Sequence, residues 1–238
     1  MNDETLQHVR LIEELSVAVG LLKGGLRELQ HINGANDFYH LPLLTLASGF
    51  ERLMKVIICF YIHEISGSYP SKFPWPEGKR GHDLMPLLEY IVKDCFSDSY
   101  IQSVPAARQD ITFLREDERV RTMIKILSDF GQAGRYYNLD VVSGKTPATD
   151  SPEQQWSKLE TEIMRDRADW AAELTKPKGL AVTFERVNIE IVASLERFSR
   201  ALCRLFTIGG LGVKARQASP IVHVFLMIRD EMLGNTKY

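Results

Sequence analysis

His82 stands just before an apolar helical stretch in GKRGHDLMPLLEYI (78–91), behind Lys79 and Arg80. An imidazole changes charge near neutral pH and can pass on a proton. The same stretch also reads as a helix start, because His82 and Asp83 in front of Leu84 can cap a helix and bond locally. Glu51 lies in the strongly apolar run LPLLTLASGFERLMKVIICFYI (41–62). A carboxylate there needs a partner, since burying it alone is costly. Lys55, His82 and Arg135 are the candidates, and a bridge locking two helices is the structural alternative to catalysis. Tyr136 and Tyr137 in GRYYNLD (134–140) can stack on a base or edge the core with their hydroxyls in water. Asn138 can make a turn.

Other patterns point less far. Arg197, Arg200 and Arg204 recur at helical spacing and could track a phosphate backbone. Glu196 before Arg200 and Glu190 after Arg186 fit a solvated, ion-paired face better. IGGLGVKA (208–215) lacks the Gly-Lys-Ser/Thr ending and the preceding strand of a phosphate loop, so it reads as a helix cap and turn. No His, Cys and carboxylate set has metal-site spacing, so no metal or cofactor is expected. No strand-turn-helix serine motif occurs.

The elements that must position these residues are helical. Apolar side chains recur every three or four residues from Leu6 to Leu29, predicting a helix over 5–32 with Gly24 and Gly25 marking a kink or a close helix contact. A second helix is predicted over 37–65, capped by Asn36 or Asp37. A Pro- and Gly-rich loop follows. The third helix runs from Asp83 to about Phe96, with Pro86 in its first turn. SVPAARQDITFL holds a short helix and DERVRTMIKILSDFG a longer one. Residues 131–150 read as loop and linker. Ser151, Pro152 and Gln154 form a capping box for a helix that places Trp156, Leu159, Ile163, Trp170 and Leu174 on one face. TKPKG stops it. A long helix then runs from Phe184 to Leu205 and ends at GGLG, and Ser219-Pro220 opens the last. Only LAVTF is ambiguous between helix and strand. The chain is therefore expected to be all-α, with a soft boundary near 143–152.

Bulk properties narrow the function. The 238 residues are 45% hydrophobic with a formal charge of -2. That is an ordinary globular balance with no overall field to draw in nucleic acid, so any such binding must be local. The three cysteines, Cys59, Cys95 and Cys203, sit in apolar helical stretches without a CxxC. They read as buried thiols of a cytoplasmic protein. The amino terminus lacks the order of a signal peptide. Glu51, Arg52 and Lys55 interrupt the most apolar run, so no membrane span is expected.

Taken together, HLPLLTLASGFERLMKVIICFYIHE, GKRGHDLMPLLEYI and GRYYNLD resemble the HEPN group of small helical domains. The matching residues are Glu51, Arg52 and Lys55 on one helix, Gly81, His82, Asp83 and Leu84 at the start of the next, and the Arg-Tyr-Tyr-Asn stretch at 135–138. The likeness covers 36–142. It implies an antiparallel helical bundle over 1–144, with a C-terminal helical segment over 150–238 packed on the bundle or on a dimer partner. It implies a module that binds RNA, a nucleotide or a partner protein such as an antitoxin, often as a homodimer. The implied pocket is lined by Glu51, Lys55, His82, Arg135, Tyr136 and Asn138.

Active members of the group are metal-independent ribonucleases of toxin–antitoxin and phage-defence systems. Their signature is an arginine followed after four to six residues by a histidine, so that both reach one scissile phosphate. Here no histidine follows Arg135 at that distance. Arg216 and His223 in RQASPIVH match literally, but they lie outside the resembling stretch, and a chain with six histidines gives about one such match by chance. A ribonuclease using Arg216 and His223, or Arg135 with His82, is the alternative to a non-catalytic binding module. A purely structural helical protein is the third reading.

Overall fold

A computed structural model describes residues 3–33, 36–72, 81–132, 134–146, 150–174 and 176–238, and the side chains of all of these except 135, 168, 171 and 172. The described residues form helices α1 (Asp3–Gln30), α2 (His40–Ser66), α3 (Leu84–Tyr90), α4 (Asp98–Ser103), α5 (Pro105–Glu116) and α6 (Glu118–Gln132). After these come α7 (Tyr137–Val142), α8 (Pro152–Arg165), α9 (Ala168–Leu174), α10 (Gly179–Arg204) and α11 (Gly212–Leu226). Among the described residues the one β-bridge is an isolated pair, Asn33 with Asn36. None of the described helices is long and apolar enough to cross a membrane.

The chain is built around the hairpin of α1 and α2. Leu15, Leu22, Leu26 and Leu29 of α1 meet Leu43, Leu46, Phe50 and Leu53 of α2, all buried. Gly24 and Gly25 do not interrupt α1, which runs unbroken through both. Gly25 marks a close contact instead: a Cβ there would stand 2.5 Å from Leu46 Cγ. Gly49 does the same from the other side, its Cβ position lying 2.9 Å from the Leu22 side chain and 3.1 Å from the Leu22 backbone nitrogen. Gly49→Val is therefore expected to destabilise by about 2 kcal/mol through overpacking. Gly24→Ala, at a position with no neighbouring atom within 4 Å, should stabilise by about 0.5–1 kcal/mol. Urea unfolding midpoints check both.

Residues 150–238 pack on the first segment and share its core. α10 lies against α1, α5 and α6, and α11 against α1 and α2. One buried apolar cluster runs from Leu15 to Ile228. Phe50 meets Phe198 edge-on with ring centroids 5.1 Å apart, and Phe60 meets Phe206 at 5.8 Å. The three cysteines are buried and unpaired.

Several local expectations need correction. α2 is not capped by Asn36 or Asp37; its N-cap is Tyr39, whose hydroxyl instead bonds Glu160 on α8. α3 ends in a π turn, Ile91–Cys95. The loop assigned to 131–150 contains a 3₁₀ turn, Gly134–Tyr136, and α7. The single helix over Trp156–Leu174 is two, broken at Asp166 and Arg167, where ion pairs to Arg119 and Glu190 hold the turn. Leu174 is consequently exposed. LAVTF is the first turn and a half of α10, not a strand. Pro220 does not open the last helix but lies inside α11, which starts at Gly212. Buried Ala215, Ala218, Val222 and Phe225 keep that helix continuous across the missing N–H. The capping box of Ser151 and Gln154 forms as its residues predict, with both hydrogen bonds made.

Candidate functional site

The polar faces of α1 and α2 border a cleft of about 840 Å³. Gln7, Arg10, Leu11 and Glu14 of α1 form one wall. Ser48, Glu51, Arg52, Lys55, Val56 and Cys59 of α2 form the other, recurring at the three- and four-residue steps of a single helix face. His82 closes one side, and Tyr69 and Pro70, from the turn after α2, also line it.

Glu51 is the centre of the polar part. Its carboxylate lies 3.0 and 3.1 Å from His82 Nδ1 and accepts a hydrogen bond from Lys55 Nζ one helical turn on. The partner that this half-sunken carboxylate requires is thus supplied from two places: Lys55 on its own helix and His82, 31 residues after Glu51 in the chain. The turn before α3 decides that His82 is available. Asp83, not His82, is the N-cap: its carboxylate accepts from the Met85 amide at 3.1 Å and from Ser128 Oγ at 2.9 Å. Ser128, on α6, in turn accepts from the Leu84 amide at 2.9 Å. With Asp83 pinned to α6, the neighbouring imidazole turns to Glu51, and about half of the His82 side chain stays exposed.

A carboxylate on Nδ1 fixes the ring so that Nε2 is the acceptor of the neutral imidazole. Among the described residues no hydrogen bond engages His82 Nε2. The pair therefore has the geometry of a general base held by a carboxylate. Arg52 bonds Glu14 across the cleft and Ser48 Oγ at 3.4 Å on its own helix, and Arg10 bonds Glu13 at 2.7 Å. Cys59 is no nucleophile, because burial pushes its thiol up to about 12.

The other sequence candidates lie elsewhere. Tyr136 and Asn138 are exposed at α7 and are not among the residues bordering the cleft. The backbone of Arg135 is in the 3₁₀ turn, but its side chain, like Lys79 and Arg80, lies outside the described residues. Arg216 and His223 are both exposed on one face of α11, two turns or about 10 Å apart. Among the described residues neither side chain makes a hydrogen bond or ion pair, while the His223 carbonyl accepts from the Met227 amide at 3.0 Å.

The arginine stripe of α10 is neither a phosphate track nor a solvated face. Arg197 covers the Phe113 ring at 4.0 Å, Arg200 is buried against the Ile228 carbonyl and Asp230, and Arg204 grips buried Asp110 at 2.7 and 2.9 Å. Its cations knit α10 to α5 and to the C-terminal tail. Reading the sequence missed the α1 wall, because the resemblance begins at residue 36. A usable signal existed: Gln7, Arg10 and Glu14 repeat at helical spacing beside the apolar stripe of α1.

No family model matches the chain, and no curated protein and no solved structure matches it.

Proposed function

We propose that the protein is a HEPN-like helical module that binds a nucleotide or a nucleotide unit of RNA in the cleft between α1 and α2. The observation that carries this reading is the meeting of Glu51, Lys55 and His82 at the edge of a cleft with an apolar floor. Its volume falls in the range of small-molecule sites. Leu11, Val56 and Leu44 offer a surface for a base. Arg10, Arg52 and Lys55 supply donors for phosphate oxygens. The carboxylates of Glu14 and Glu51 can accept from ribose hydroxyls or an exocyclic amine.

Titration calorimetry with AMP and UMP tests the proposal. His82→Ala is expected to weaken binding about tenfold, equal to about 1.4 kcal/mol, with the unfolding midpoint little changed because the ring is half exposed. A wild-type protein that takes up neither nucleotide ends the reading and leaves a partner-binding role.

The Glu51–His82 pair favours a second reading, metal-independent cleavage of RNA with His82 moving the proton. Cleavage lost in His82→Ala but kept in His223→Ala would place the chemistry in the cleft. The reverse pattern would place it on α11 with Arg216.

A further inference from the structure

At the far end of the cleft a second polar cluster gathers from three helices. His8 of α1 lies 2.8 Å from the Tyr69 hydroxyl through Nδ1. The ring of His63, on α2, packs on Tyr69 with centroids 4.5 Å apart, and Lys214 Nζ, from α11, stands 5.4 Å over the same ring. Gly212 makes this reach possible. It opens α11 at a φ of 84°, and Glu64 of α2 occupies the space where its Cβ would be. Tyr69 also lines the cleft, so the cluster continues the site.

The hydrogen bonds in the cluster do not close on themselves. His63 Nε2 lies 3.0 Å from Lys214 Nζ and 3.2 Å from a Glu4 carboxylate oxygen. One ring nitrogen can accept from the ammonium or donate to the carboxylate, not both. Glu4 bonds Lys214 as well, from the half-exposed first turn of α1. Lys214 and then His63 hold its carboxyl below the usual range, so the position favours negative charge. Glu4 therefore sits as a resident anion, tethered by a helix end, among groups that would all serve a stronger acceptor.

We propose that His8, His63, Tyr69 and Lys214 form a second subsite, for a phosphoryl group, and that Glu4 occupies it until a ligand displaces it. The inference rests on the reading of the cleft as a nucleotide site and names the ligand more closely: a short single strand rather than a mononucleotide. The spacing sets its length. Lys55 and Glu51 precede His63 by 8 and 12 residues on α2, about 12 and 18 Å along the axis. At about 3.4 Å per stacked nucleotide this spans about four or five units. The strand would place one phosphate beside Lys55 and His82, lay its bases over the apolar floor, and end with a phosphate in the cluster.

The test compares AMP with a five-nucleotide RNA carrying a 5′-phosphate and a 3′ fluorophore, by anisotropy and competition on the full chain. The pentanucleotide is expected to bind at least about tenfold tighter than AMP, through linkage of two subsites. Lys214→Gln should remove most of that gain and leave AMP unchanged. Glu4→Gln should tighten the pentanucleotide about threefold by removing the competing carboxylate, an effect that a merely structural ion pair would not produce. A pentanucleotide no tighter than AMP, or weakened by Glu4→Gln, overturns the second subsite while the cleft reading stands. Failure of both ligands overturns the cleft reading and the subsite with it.

Discussion

Asp110→Ala is expected to lower the unfolding free energy by about 3 kcal/mol, the low end of the range for breaking a buried ion pair from one side. Asp110 of α5 is 4% exposed, and both of its oxygens bond one nitrogen of Arg204 on α10. Burial raises its carboxyl pKa and outweighs the lowering effect of Arg204, so the environment is dry enough for the loss to be felt. The alanine leaves the guanidinium without its partner. Its side chain is about a quarter exposed and can reach some water, which keeps the cost from the top of the range. The double variant Asp110→Leu with Arg204→Met should recover most of the loss, because a packed apolar pair needs no charge compensation. Urea unfolding of the single and double variants checks this. A single variant losing under about 1 kcal/mol would mean that the pair does not hold α5 to α10.

The second large effect is a stability that falls as pH rises. Glu160 of α8 is 3% exposed and accepts from the Tyr39 hydroxyl at 2.8 and 3.0 Å. Burial pushes its carboxyl up to about 7 from 4.5, against the lowering effect of the Tyr39 hydrogen bond. A group whose folded value is raised contributes stability that is complete below its unfolded value and is lost as pH climbs through the folded one. Between about pH 4.5 and 7 the folded protein holds a proton that the unfolded chain has released, and the loss amounts to about 3 kcal/mol. Glu196 on α10 and Asp110 are shifted the same way by burial, so the wild type should show a steeper decline than Glu160 alone produces. Glu160→Gln keeps an acceptor for Tyr39 without the charge. It should be more stable than wild type above pH 7 by about 2–3 kcal/mol, and nearly equal to it at pH 4.5. Thermal unfolding across pH 4.5–8.5 reads the difference, and parallel curves for the two proteins would refute it. Tyr39 stands at the start of the helix that carries Glu51 and Lys55, so the same titration bears on how firmly the cleft is held.

The amount that could be read from the residues differs from one part of the molecule to another. The helical class and the main helices were legible, because apolar residues at steps of three and four leave no alternative way to bury a face. The capping box at Ser151 and the cap before α3 were legible for the same local reason: the groups that satisfy a helix end lie within four residues of it. Local pattern failed where a contact distant in sequence overrode it. Pro220 looked like a helix start, and core packing of Ala215, Ala218 and Phe225 carried α11 through it. Asn36 and Asp37 looked like caps, but the Asn36 side chain bonds the His31 carbonyl and the Phe38 amide, and α2 begins only after Tyr39. Arg197, Arg200 and Arg204 looked like a surface stripe, since spacing gives a face but not the direction in which it points.

The candidate site divides in the same way. That Glu51 needs a cation or a donor follows from a carboxylate in an apolar run and can be argued from composition and spacing alone. Which group answers it does not follow. Lys55 is a turn away on the same helix, but His82 arrives only because Asp83 is tied to Ser128 on α6, and the opposite wall comes from α1 through the close approach at Gly25 and Gly49. The chain order thus specifies each helix and the chemical demand of each side chain. Partnership across the cleft, and the meeting of His63, Lys214 and Tyr69 at its end, arise from packing between segments up to 151 residues apart, where no local spacing carries the information.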